Sequence, residues 1–418
     1  MDFTYEDDTM VREKIRSFLA ATLPESMRGG TFEWRFDSDF HQAFVAWQHE
    51  NLLDASDATM DAFADELLRA DLELRTIGPT ALVAQILSVL GTPEQRAEYI
   101  PRFLRGEALC ALGYTEPDSG SDVASAATRA IRDGDEWVIS GEKMFTSNAA
   151  ISDYVFLLTR TNTEVPKHQG LTTFLVPLTA PGVEIRPIDT LRGHPTYMTY
   201  YDDVRVPDSC RVGDVDAGWS VMRVALDVEH GAGKRITLDA GDDAARSYRL
   251  ESRLGHAGGH GVKIGHTLTR LVEWARGARD HEGRRVIDDP FVRSTLAGIA
   301  IDLEVIRLLQ GRNDPEAAKP GVGNGKKLFG SEAYQRATQR MLEIAGPAGI
   351  VDYRSEGSVA DGWVEYTFRD ATVATISGGS SEVQRDIIAE RRLGLPTARR
   401  AARANTSDSR PVAAPGSV

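Results

Sequence analysis

GYTEPDSGSDVAS, residues 113–125, and GEKMFTSNAAISDYVFLL, residues 141–158, are the two stretches around which the rest of this chain is arranged. An apolar run over 108–112 leads into the first, which then collects Thr115, Pro117, Gly120 and a serine on either side of that glycine. A strand that opens into such a loop offers free backbone N–H groups and hydroxyls to whatever lies beyond it. The pattern predicts a cradle for a large polar cofactor.

The chain has 418 residues, 41% of them hydrophobic, with no long low-complexity block, so it can bury a large core and divide into two or three domains. A formal net charge of -14 argues against nucleic acid as the main partner, because phosphate binding needs a concentrated basic face. Cys110 and Cys210 show no metal-ligand spacing, so a reducing compartment is expected rather than a disulfide framework. The opening MDFTYEDD is acidic and lacks the features of a leader, and no apolar run reaches the length of a bilayer. The expected location is the cytoplasm, with no membrane partner.

Val11, Ile15, Phe18 and Leu19 recur at helical spacing, as do Phe63, Leu67, Leu68 and Leu72. Thr92-Pro93-Glu94-Gln95 supplies an N-cap, a proline at the first helical position and a capping-box glutamine. The helix it opens carries Tyr99 and Ile100 and is expected to break at Pro101. Between about 111 and 215 the period becomes that of strands, over 136–140, 154–160, 171–177 and 198–206, with turns at Asp133-Gly134 and Pro181-Gly182. Gly213 and Gly218 mark a return to helices, expected over 219–278, 290–309, 327–344 and 381–393, the last stopped by Gly394-Leu395-Pro396. The expectation is an α+β fold: an N-terminal helical domain over 1–110, a middle β-barrel over 111–215 and a C-terminal four-helix bundle over 216–396. Residues 397–418, polar and rich in Ala, Arg, Ser and Pro, are expected to form a disordered tail.

The two opening stretches resemble the flavin-contacting segments of the acyl-CoA dehydrogenase family, which read roughly xxTEPxxGSD and GxKxWITNxxxAD. TISGGSSEVQRDIIAERRLGLP, residues 375–396, is similar to that family's C-terminal stretch containing TSEIQR, and TTFLVPLTAPGVEI with YDDVRVPDS is similar to its middle domain. The resemblance covers residues 1–396 and implies FAD as cofactor and α,β-dehydrogenation of an acyl-CoA thioester. In that chemistry a carboxylate takes the α-proton while the β-hydrogen leaves as hydride to flavin N5. Many members carry the carboxylate just before a Gly-Thr pair near the C-terminus, and aligning SSEVQR with TSEIQR puts Gly378 there. A minority, including isovaleryl, long-chain and bacterial steroid side-chain enzymes, carries it on the first bundle helix. The corresponding ALDVEHGAG, residues 225–233, offers Glu229.

The residues support that placement on their own. Trp219, Met222, Leu226 and Glu229 share one helical stripe, so a single carboxylate ends an apolar row, and Val221, Val224 and Val228 make a second apolar face. The helix is therefore expected to be buried nearly all round, which would raise the basicity of Glu229. The competing reading is a glutamate paired with Arg223 or Lys234 on the surface. His230 stands where the family usually has arginine, and it either tunes Glu229 or packs, with packing the simpler account. Asp227, His230, Ser121 and Gly378 are assigned by resemblance to the substrate side, Gly378 through its backbone N–H to the thioester carbonyl.

The same resemblance assigns Leu112, Tyr114, Thr115, Gly120 and Ser121, with Phe145, Thr146 and Ser147, to the cofactor. Thr115 and Ser147 match hydroxyls lying against the isoalloxazine, and Phe145 replaces the usual tryptophan. Ser121 matches a serine near the ADP or acyl-carrier phosphates, although an ST-turn would also account for it. Ser380 and Glu382 match positions at the adenosine half. Arg279 could match an arginine that a neighbouring subunit lays on the pyrophosphate, but the run Arg279-Asp280-His281-Glu282-Gly283 lacks the family's phenylalanine. Expected partners are acyl-CoA, electron-transfer flavoprotein or a similar acceptor, and a homo- or hetero-oligomer, dimer or tetramer. A carrier-protein dehydrogenase or an oxidase of the same fold, and a non-catalytic subunit completing a partner's site, are the alternatives.

Other signals are read plainly. His256, His260 and His266 in HAGGHGVKIGH lack a carboxylate or Cys at zinc spacing, so no metal is expected. GVGNGKK, residues 321–327, is not a phosphate loop and is expected to be a flexible lead into a helix. SGGSSE has no nucleophile-elbow pattern, and Arg399, Arg400 and Arg403 read as solvated charge.

Overall fold

The structure, a computed structural model, describes residues 9–28, 36–72, 77–229, 250–251, 253–254, 259–310, 321–352 and 355–396. The tail over 397–418 lies outside the described residues. Five helices come first: α1 (Thr9–Thr22), α2 (Ser38–Leu52), α3 (Asp57–Arg69), α4 (Gly78–Leu90) and α5 (Pro93–Leu104). Val11, Ile15 and Leu19 form the buried seam of α1 against Phe44, Phe63 and Leu67, as their spacing predicts. The capping box of α5 is formed, with the Gln95 N–H donating to Thr92 Oγ1 at 3.2 Å and the Thr92 N–H to Gln95 Oε1 at 3.0 Å. Pro101 does not end that helix. One backbone bond is lost there, but Ile100, Phe103 and Leu104 are buried against α4, and that burial keeps the last turn in place.

Eight strands follow: β1 (Cys110–Gly113), β2 (Arg129–Asp133), β3 (Glu136–Lys143), β4 (Tyr154–Arg160), β5 (Leu171–Pro177), β6 (Val183–Ile188), β7 (Thr196–Pro207) and β8 (Arg211–Val212). They make one sheet in the order β6-β7-β3-β2-β4-β5-β8, and β1 lies parallel to β4 off that path. Its inner face packs Trp137, Ile139, Phe174, Val176, Tyr201 and Val204. The Asp133-Gly134 turn is present with Gly134 at φ 65°, the left-handed conformation that favours glycine.

Among the described residues six further helices complete the chain: α6 (Gly218–Glu229), α7 (His260–Gly277), α8 (Pro290–Gln310), α9 (Val322–Ala345), α10 (Trp363–Ala371) and α11 (Ser381–Ile387). The α+β architecture is thus the expected one. Two details differ. α9 begins at Val322, so GVGNGKK is mostly helical: Asn324 is buried and donates to Gln384 Oε1 at 2.6 Å, and Gly321, at φ 86°, would bring a Cβ to 2.8 Å from Arg392 Cβ. Tertiary contact there outweighs the low helical propensity of glycine. α10 was unforeseen because its aromatic and β-branched residues favour helix weakly, yet Trp363, Val364, Tyr366 and Thr367 are all buried.

Candidate active site

β1 runs in the sheet as far as Gly113, where a side chain would stand 2.9 Å from both Leu157 Cδ1 and Val155 Cγ2. The chain then turns outward and is tied to the second motif segment at once. Thr115 O accepts the Met144 N–H at 2.9 Å, while Glu116 and Ser119 exchange both backbone bonds at 3.0 and 3.1 Å. The buried Glu116 carboxylate accepts the Ala127 N–H at 2.6 Å, the Thr128 N–H at 2.8 Å and Lys143 Nζ at 2.7 Å. The Arg160 guanidinium donates to the carbonyls of Ala124 and Lys167 at 2.6 Å and of Ala126 at 3.2 Å. Within the loop the N–H groups of Glu116, Ser119 and Ser125 are committed to its own turns, and the Glu116 carboxylate ties it to the two residues before β2.

Electrostatics follow from that burial. Desolvation draws the Lys143 ammonium down to about 8, with Glu116 opposing the fall. Burial also disfavours the Glu116 carboxylate, but Lys143 and the two N–H donors outweigh it and hold Glu116 below the ordinary glutamate value.

The second segment leaves β3 at Lys143. Phe145, 56% exposed, sits at φ 57°, and Asn148 at φ 67°. A non-glycine residue in this region is strained, and such strain persists where surrounding contacts fix the backbone. Thr146 is turned inward. Its N–H donates to Tyr197 O at 3.0 Å and its hydroxyl lies 3.3 Å from that of Thr199, so its side chain does not join the surface that the sequence assigned to it. Ser147 is exposed, its hydroxyl 3.3 Å from that of Thr196.

The fold thus brings Leu112, Tyr114 and Thr115, all half-buried, alongside exposed Phe145 and Ser147, with exposed Gly120 and Ser121 further along the first loop. The Thr115 hydroxyl makes no hydrogen bond among the described residues. An open aromatic ring beside hydroxyls suits a flat heteroaromatic group with a polar edge, and these residues fit FAD. Gly120 has open space around the position of a Cβ, so its absence of side chain is not demanded by packing.

α6 docks on the same loop. Met222 is buried with Ala124, Ala126, Leu158 and Leu171, and Tyr114, Val123 and Trp219 pack on that cluster. Ser220 and Arg223 are exposed, so the first turns of α6 are not buried all round as expected. Glu229 is the last residue of α6; its side chain and that of Asp227 are not described, and His230 and Lys234 lie outside the described residues.

Gly378 and Ser380 lie between α10 and α11 and Glu382 in the first turn of α11, the helix that packs on α9. Gly378, at φ 64°, accepts from Gln384 Nε2 at 2.9 Å, Gly379 O accepts Lys327 Nζ at 2.7 Å, and Ser380 caps α11. Exposed Arg279 stands in the turn after α7 and donates to Gly283 O at 2.9 Å. Of the three histidines, His256 is outside the described residues, His260 stacks on Tyr334 with burial lowering it to about 4, and His266 pairs with Asp65 at 3.2 Å. Among the described residues no group of three His, Cys, Asp or Glu could hold a metal. None of their helices is long and apolar enough to cross a membrane. Glu116, Lys143 and Arg160 were not singled out in the sequence, although the first two stand inside the quoted motifs.

The chain matches the acyl-CoA dehydrogenase middle domain over residues 111–204 and the acyl-CoA dehydrogenase C-terminal domain over residues 240–393. It is 35% identical to acyl-CoA dehydrogenase FadE26 of Mycobacterium tuberculosis over 76% of each chain, and 34% identical to acyl-CoA dehydrogenase IpdE1 of the same organism over 80% of each. Among solved structures, the ChsE4-ChsE5 complex from Mycobacterium tuberculosis and the Tcur3481-Tcur3483 steroid ACAD each align at TM-score 0.75 and 30% identity, covering 95% of this chain and 100% of the matched one. With both domains matched and a 35% identical relative spanning three quarters of its length, the chain belongs to the acyl-CoA dehydrogenase family, FAD-dependent oxidoreductases that dehydrogenate acyl-CoA.

Proposed function

We propose that this chain converts an acyl-CoA to the trans-2-enoyl-CoA, with Glu229 as the general base. Bound FAD supplies the hydride acceptor, its N5. The α C–H bond would give its proton to the Glu229 carboxylate, and the electron pair left at Cα would close the double bond as the β-hydrogen departs with its own pair, for which bound FAD would be the acceptor. Leu112, Tyr114, Thr115, Gly120, Ser121, Phe145 and Ser147 would hold the cofactor, Ser380 and Glu382 its adenosine half, and Arg279 of a neighbouring subunit its pyrophosphate. Gly378 and Ser121 would face the thioester and its carrier.

The observation that supports this reading is the docking of α6 on the loop that presents Thr115, through Met222 and Trp219. It lays the first turns of the helix that ends in Glu229 against the loop proposed to hold the cofactor. Glu229→Gln is expected to retain flavin but to slow its anaerobic reduction by acyl-CoA by about 10²–10⁴-fold. Near-normal bleaching would remove Glu229 as base. A panel of straight, branched and steroid-side-chain thioesters identifies the acyl group, for which bulky chains are our proposal because the steroid ACAD aligns so fully. Electron-transfer flavoprotein or a similar acceptor is proposed to take the electrons, and turnover with oxygen alone would favour an oxidase.

The two aligned structures are both two-component assemblies, which favours a second reading in which this chain works as a hetero-oligomer. Purified alone, a chain that stays colourless after FAD addition would support the partner-subunit form of that reading.

A further inference from the structure

We propose that the buried Glu116–Lys143 ion pair is a positioning couple that sets the Thr115 and Ser147 hydroxyls for the flavin ring; this rests on the assignment of that face to FAD. Lys143 is fully buried, and its ammonium donates both to Glu116 Oε1 at 2.7 Å and to Tyr114 O at 3.2 Å. The residues before and after Thr115 are therefore held by one charged group. Thr115 itself is held through its carbonyl by the Met144 N–H at 2.9 Å, the residue next to Lys143. Its backbone is fixed on three sides while its hydroxyl stays available.

The other end of the couple works in the same direction. Glu116 also takes the N–H groups of Ala127 and Thr128, which closes the 113–125 loop onto the start of β2. Lys143 ends β3, two residues before Phe145 and four before Ser147, so the couple joins the first loop to the strand end from which the second segment leaves. Stability alone does not account for this arrangement. A buried pair is often no more stabilising than apolar residues of like volume, because desolvation offsets the attraction. An apolar pair, however, could not hold a carbonyl and two N–H groups in one register.

The test uses the full chain as purified, with any co-purifying partner. Lys143→Met, Glu116→Gln and the double variant are compared with Thr115→Val and Ser147→Ala by FAD affinity, the visible spectrum of bound flavin and the thermal midpoint of the flavin-free protein. The expected result is at least a tenfold loss of FAD affinity and an altered flavin spectrum in Lys143→Met and in Glu116→Gln, with the double variant no worse than the poorer single one. If both variants lower only the thermal midpoint while Thr115→Val and Ser147→Ala change affinity and spectrum, the pair is structural and the proposal is overturned with the flavin face intact. If Thr115→Val and Ser147→Ala also behave as wild type, the face assignment fails and takes the proposal with it. Should Lys143→Met not accumulate folded, Glu116→Gln keeps the volume and one acceptor and decides the same comparison.

Discussion

Gly378, which the family resemblance sets at the commoner position of the base, has a φ of 64°, and that conformation decides what could replace it. A side chain there costs about 1–2 kcal/mol in left-handed backbone before any contact is counted. Moving the base by Gly378→Glu with Glu229→Gly is therefore expected to give less stable protein with little recovered activity, measured by thermal midpoint and anaerobic bleaching. Lys143 titrates in an accessible range. Burial sets it at about 8 against an ordinary 10.5, with Glu116 opposing and Arg160 adding to the fall. Because the folded value is the lower one, the unfolded chain binds more protons between those two pH values, and this group's contribution to stability rises with pH there. The ionic half of the clamp fades over the same window. A flavin absorbance change with a midpoint near pH 8 is expected in the wild type and not in Lys143→Met. Glu251 runs the other way: burial pushes it up to about 8 from 4.5 despite the backbone of Ile77. A raised carboxyl value gives a contribution that is intact below 4.5 and lost as pH rises towards 8. Glu251→Gln should gain thermal midpoint over wild type at pH 8 and lose that advantage at pH 4.5.

At the scale of elements, local signals and long-range contacts divide the labour. The Thr92 box was legible because its donors and acceptors lie within four residues, and Thr92→Ala is expected to cost about 1 kcal/mol in chemical denaturation. Gln95 does more than close that box, since its Nε2 donates to Ser209 O at 2.7 Å and Arg211 O at 2.9 Å and so ties α5 to β8. The glycine turn before α11 has no such local reading. Gly379, at φ 86°, would bring a Cβ to 2.6 Å from Gln384 Nε2, the group that also holds Gly378 O. Gly379→Ala should disturb that corner more than Thr92→Ala disturbs α5, seen as a larger fall in thermal midpoint.

For the whole molecule, a cofactor seated between loops from one sheet should stabilise the fold by mass action. FAD at a hundred times its dissociation constant contributes about 2.7 kcal/mol, so flavin-stripped protein should melt lower and recover on adding FAD. The sequence by itself determined the succession of a helical part, a strand-rich middle and a second helical part, the turn at Gly134 and the stop at Gly394, and the cofactor class through two short motifs. These depend on propensities, caps and periods that a few neighbouring residues express. Tertiary structure alone decided that Thr146 faces inward, that α9 starts among glycines and that α10 is a helix, because burial against distant elements outweighed local preference. It also joined Glu116 to Lys143, 27 positions away, since an ion pair becomes visible only when the chain's path puts both charges in the same dry place.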